Sequence, residues 1–150
     1  RYPGSMHTTS TDALIRLALD EDIGTGDRTT LATIAPEART TATVIAKERL
    51  VLAGVPYFAR VFELMNADIT VQAPVDEGTL VEPGATAVTL QGSTQDLLIG
   101  ERTALNILQR LSGIATLIIA IILVFQLRKQ KLLPHHSKLK TDQMQTAKCL

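Results

Sequence analysis

Gly113 is the last glycine of the chain, and after Phe125 the composition shifts abruptly to "QLRKQKLLPHHSKLKTDQMQTAKCL". Glycine supplies the positive-φ turns that let short elements reverse direction. Turn glycines vanish beyond this point, and the remainder is expected to be an appendage of different character. With 150 residues, of which 45% are hydrophobic, the chain has material for one core, or for one domain plus such an appendage. The 15 basic and 15 acidic residues balance to zero formal charge. No global field is then available to hold nucleic acid, and any anion has to be caught by a local cluster. A single cysteine, Cys149, excludes an internal disulfide framework and fits a reducing compartment. The histidines His7, His135 and His136 assemble no zinc set, and no metal site is expected.

Ahead of Gly113 the periodicity alternates between helix and strand. "TSTDALIRLALDEDIG" predicts a helix capped by Thr9 or Ser10, with Leu14, Leu17 and Ala18 as its apolar face and Gly24 at its end. "GTGDRTTLATIAPEA" has loop chemistry as far as Pro36, with Gly24 and Gly26 permitting the turn and Asp27 bonding backbone amides. "TATVIAK" places Ala42, Val44 and Ala46 on one side of a strand, and "LVLAG" continues the sheet until Gly54. Pro56 suits the first turn of a helix whose buried side is Phe58, Val61, Phe62 and Met65. "ADITVQA", "GTLVEPG" and "ATAVTLQG" read as short strands separated by "PVDEG" and Pro83-Gly84. The fold class implied is α+β, a small mainly antiparallel sheet with packed helices.

Ser93 with Asp96 three positions on resembles a capping box and starts the next helix, which carries "ERTALNILQRLSGIAT". Helical geometry aligns Leu98, Leu105, Leu108, Leu111 and Ala115 as an apolar stripe, with Arg102, Asn106, Gln109 and Gly113 on another. Leu98 stands four positions before Arg102 and Asn106 four after, so no carboxylate at that spacing neutralises the guanidinium. Arg102 then either faces water or grips a planar carboxylate or phosphate outside its helix.

"LALDEDIGTGDRTT", "VLAGVPYFARVF" and "GERTALNILQRLSGIAT", in this order, resemble the amino-terminal region of quinolinate phosphoribosyltransferases, from about Leu17 to Thr116. The resemblance implies cytoplasmic homodimers that join quinolinate to phosphoribosyl pyrophosphate with Mg2+, giving nicotinate mononucleotide, carbon dioxide and pyrophosphate in NAD synthesis. It also implies an α/β sandwich domain followed by an α/β barrel. Arg102 matches the arginine of the E-R-x-A-L-N motif, which reaches a substrate carboxylate across the dimer. On this reading residues 1–5 are a vector remnant ahead of Met6, 6–100 the sandwich domain, 101–116 a linking helix and 117–150 a divergent tail.

Past Thr116 the resemblance ends. The family continues to a barrel strand ending in Thr-Arg-Lys-Thr-Thr-Pro-Gly, whereas "LRKQKLLP" offers only Arg128 and Lys129 as substrate-binding candidates, too early and without the preceding turn. With the barrel largely absent, the expectation is a truncated, inactive form that binds no Mg2+ of its own, its tail arising from a shifted reading frame. Other classes compete with this one. A nicotinate phosphoribosyltransferase relative is the second enzyme reading. A biotinyl or lipoyl carrier is disfavoured because no lysine lies between Lys47 and Lys129. A non-catalytic interaction or membrane-anchored domain would use "LIIAIILVF", but the apolar run is shorter than the ~20 residues of a spanning helix, and a membrane role is not expected.

Overall fold

The first helix after the "LVLAG" segment shows how local sequence and long-range contacts combine. In the computed structural model, which describes residues 9–24, 28–66 and 68–132, this helix is α3 (Val55–Met65). Gly54 precedes it with φ 96° and Pro56 occupies its first turn. Its apolar face, spaced at helical period, buries Val55, Phe58, Val61 and Phe62 almost completely. The Phe58 and Phe62 rings meet edge to face at 5.4 Å, the arrangement that places a positive ring edge against a negative face. The Glu77 carboxylate caps the helix from a distant turn, accepting the Gly54 N–H at 3.0 Å and the Val55 N–H at 2.6 Å. An anion there satisfies orphan amides and complements the helix dipole. Glu77→Ala is expected to lower the unfolding free energy by about 2 kcal/mol, seen as a lower urea midpoint with an unchanged slope.

Around α3 lie α1 (Thr9–Ile23), α2 (Arg28–Thr33), β1 (Arg39–Ile45), β2 (Leu50–Val51), β3 (Thr70–Gln72), β4 (Leu80–Val81), β5 (Thr86–Ser93) and α4 (Thr94–Leu132). The strands form two antiparallel sheets, one of order β1-β5-β3 and the other β2-β4. Leu90 pairs with Ala42 on one side and Val71 on the other, and with Ala87 and Val88 it supplies the sheet's contribution to the core. The α+β class, with helices on a small antiparallel sheet, is as the sequence indicates, and among the described residues no barrel is present.

Two local expectations need correction. α1 buries Ile15 and Leu19, whereas Leu14 and Leu17 are each 65% exposed. The rotation follows from Arg60, which holds Asp12 through two parallel hydrogen bonds at 2.9 and 2.7 Å and also bonds Glu63 at 3.0 Å. Asp12, Ile15, Leu19 and Ile23 share one helical face, so fixing Asp12 on α3 turns the isoleucines and Leu19 inward. The hydrogen bonds from Asp12, then Glu63, raise the Arg60 pKa above its ordinary value. The second correction concerns the "GTGDRTTLATIAPEA" loop: its Arg28–Thr33 stretch is helical, and Thr30 is buried within it. Gly24 ends α1 with φ 51°, as its position suggested. Gly26, Asp27 and the segment before Thr9 lie outside the described residues, as do His135, His136 and Cys149.

The chain divides into two compact units between Thr116 and Leu117. All elements named above except the later part of α4 belong to the first.

Candidate functional site

The helix that carries Arg102 is fixed at its start by three side chains. Ser93 Oγ accepts the Asp96 N–H at 3.3 Å, the capping bond the sequence predicts. The Asp96 carboxylate accepts instead from Asn66 Nδ2 at 2.6 Å, tying the first turn of α4 to the end of α3. Gln95 Nε2 donates to the Ile34 carbonyl at 2.7 Å.

Further along, α4 satisfies a strand edge. Leu52 N–H is bonded to the Thr79 carbonyl on the β4 side. The amides of Val51 and Ala53 point the other way, as alternation along a strand requires. They donate to Thr116 Oγ1 at 2.9 Å and Ser112 Oγ at 3.1 Å. Ser112 returns its proton to the Ala53 carbonyl at 3.1 Å, and Thr116 donates to the Ser112 carbonyl at 2.7 Å. Nearer the start, Thr103 Oγ1 donates to Asp22 Oδ2 at 2.5 Å. Buried polar groups are tolerated because each finds a partner.

These anchors set the helix rotation and correct the expected stripe. The buried positions are Leu97, Thr103, Ala104, Leu108 and Ser112. Gly100 faces α3 so closely that a Cβ there would lie 2.8 Å from Phe62 Cε1 and 2.9 Å from Met65 Sδ. Leu98, assigned by periodicity to the core, is 43% exposed. Leu98 and Leu105 join Glu101, Arg102, Asn106 and Gln109 in lining a shallow groove along the outer face of α4. Leu105 and Leu108 keep the core contacts that periodicity assigns them, whereas Leu98 is turned outward because Thr103, Ala104 and Ser112, which carry little hydrophobic signal, share the contact stripe with Leu97 and Leu108.

Arg102 is exposed in this groove and has no hydrogen bond or ion pair among the described residues. Its planar guanidinium is free to bind a carboxylate or phosphate through two parallel bonds. Leu98 and Leu105 give apolar surface beside it, and the Asn106 and Gln109 amides supply both donors and acceptors. The groove is one face of one helix and cannot exclude water. A second surface is needed before the charge of Arg102 acts in a low-dielectric setting.

Arg128 lies exposed in the later part of α4, in the second unit, and the side chain of Lys129 is outside the described residues. Among the described residues no group of three or more His, Cys, Asp or Glu side chains is placed to hold a metal ion.

The sequence pattern of the family described as quinolinate phosphoribosyl transferase, N-terminal domain, matches residues 27–112, more than half of the chain. The chain belongs to this family. Among curated relatives of this family member, a probable nicotinate-nucleotide pyrophosphorylase (carboxylating) of Synechocystis is 40% identical over 106 residues, covering 71% of the chain and 36% of the relative. The chloroplastic nicotinate-nucleotide pyrophosphorylase (carboxylating) of Arabidopsis thaliana is 38% identical over 116 residues, covering 77% and 33%. The crystal structure of NadC from Streptococcus pyogenes superposes with a TM-score of 0.71 at 36% identity, covering 76% of the chain and 41% of that protein. The chain thus spans about a third of the length of the curated relatives it matches.

Proposed function

We propose that this quinolinate phosphoribosyltransferase family domain serves a decarboxylating phosphoribosyl transfer, quinolinate and phosphoribosyl pyrophosphate going to nicotinate mononucleotide, carbon dioxide and pyrophosphate in NAD biosynthesis. The domain acts within a cytoplasmic homodimer, and its part is to present Arg102 to a quinolinate carboxylate in the neighbouring subunit's site. One observation carries this reading: Arg102 stands exposed and unpaired among the described residues, in an open groove that becomes a site only when a second surface closes it.

Quinolinate is a dianion, and a carboxylate leaving water needs a compensating cation in fixed geometry. Arginine meets that need better than lysine, because its fork matches both carboxylate oxygens. Ser112 and Thr116 hold the later turns of the first unit's α4 to the Ala53 and Val51 amides, while Arg102, Asn106 and Gln109 nearer its start stay exposed. Arg128 and Lys129 carry charges suited to phosphate, but nothing places them in this groove, so they have no part in the proposal.

The first unit supplies a substrate-facing cation but neither a cluster for Mg2+ nor a barrel among its described residues. The chain on its own is expected to give no turnover of quinolinate and phosphoribosyl pyrophosphate. The check is release of labelled carbon dioxide, with an intact-mass measurement confirming all 150 residues. Carbon dioxide release above background from the chain alone would overturn this division of labour.

A further inference from the structure

Independently of the proposed function, residues 117–127 raise a separate question. They form a helical segment in which Leu117, Ile118, Ile119, Ile121, Ile122, Leu123, Val124, Phe125 and Leu127 are between 39% and 65% exposed. Successive helix positions are about 100° apart, so this exposure runs round the whole circumference rather than along one stripe. We propose that the segment embeds in a lipid surface containing anionic headgroups, with the basic run that follows it held at those headgroups.

Three observations choose this occupant. A protein groove, or one further copy of the helix, covers a single face of a helix, whereas acyl chains surround it. The apolar stretch is followed in sequence by Arg128, Lys129 and Lys131. Parallel association of copies brings these like charges together, while an anionic leaflet neutralises them at about 1 kcal/mol per basic residue. The third observation is length. The helix from Thr94 to Arg128 is long and apolar enough to cross a membrane by length and composition, but Ser112 and Thr116 are bonded to the backbone of Ala53 and Val51. That leaves residues 117–127, about 16 Å of helix, against a hydrocarbon core of ~30 Å. The segment therefore lies within one leaflet and does not span.

The test is co-sedimentation of the full chain with vesicles of phosphatidylcholine alone and of phosphatidylcholine mixed with phosphatidylglycerol, alongside light scattering of the chain without lipid. The chain is expected to sediment with the mixed vesicles, and more weakly with the neutral ones. Ile118→Glu with Ile122→Glu replaces exposed residues, so the first unit keeps its circular dichroism while vesicle binding falls at least tenfold. Replacing Arg128, Lys129 and Lys131 by Gln weakens binding to the mixed vesicles about fivefold per charge and leaves neutral-vesicle binding in place. Three results overturn the proposal. These are a chain that stays in the supernatant with both vesicle types, one that assembles beyond a dimer into an oligomer lipid does not dissolve, or undiminished binding by the Ile118→Glu, Ile122→Glu variant.

Discussion

Gly54→Ala is expected to destabilise the first unit by about 3 kcal/mol, one of the two largest effects anticipated here. Two costs coincide at this position. Gly54 has φ 96°, a backbone conformation that charges any Cβ-bearing residue a steric penalty. A Cβ there would also lie 2.6 Å from Leu111 Cδ1 and 3.0 Å from Leu111 Cβ, so α4 would have to shift. The shift would pull on Ser112 and Thr116, the two hydroxyls that satisfy the Ala53 and Val51 amides. It would also disturb the Gly54 N–H that Glu77 holds. The two costs separate in a double-mutant cycle. Leu111→Ala removes the Cδ1 overlap but neither the 3.0 Å approach of the residue 111 Cβ nor the backbone strain, so Gly54→Ala combined with Leu111→Ala is expected to cost less than the sum of the single changes. Additive costs in urea denaturation would mean that Leu111 does not restrain Gly54.

Some of this architecture is legible in the residues themselves. Phe58, Val61, Phe62 and Met65 recur at helical period behind a proline suited to the first turn, and local pattern and tertiary packing agree. The strands around Pro83-Gly84 and "PVDEG" are announced by turn chemistry. What periodicity cannot show is a rotation fixed by polar contacts distant in sequence. Asp12 reaches Arg60, and Thr103 reaches Asp22. These pairs decide which side of α1 and α4 faces inward, against the greater hydrophobicity of Leu14, Leu17 and Leu98. The Glu77 cap is equally silent, since a glutamate in a turn gives no local sign of the helix it serves. For the candidate site, Arg102 was identifiable from its missing intrahelical partner and from its motif. The exposure of Leu98 was not, because an apolar residue at that spacing is normally core.

The second large effect falls on activity. In a site built with a neighbouring subunit, Arg102→Ala is expected to reduce kcat/KM about hundredfold, the scale of losing one preorganised charged donor. Arg102→Lys should recover only a small part of that loss, since an ammonium keeps the charge but not the fork. The fold should be unaffected by either change, because Arg102 is exposed and has no partner among the described residues. Unchanged urea midpoints would separate this loss of activity from a loss of structure. Gly54→Ala, in contrast, acts on activity only through the placement of α4.

The most direct measurement uses mixed dimers of this chain with a full-length enzyme of the family in which the arginine of the same E-R-x-A-L-N motif has been changed to alanine. Mixed dimers are isolated through a tag on this chain, verified by native mass, and assayed for carbon dioxide release from quinolinate in the presence of phosphoribosyl pyrophosphate. Restored turnover with the unaltered chain, lost again with its Arg102→Ala variant, is the predicted result. Equal turnover with both versions, or no gain with either in verified mixed dimers, would contradict the assignment of Arg102 to the neighbouring subunit's site.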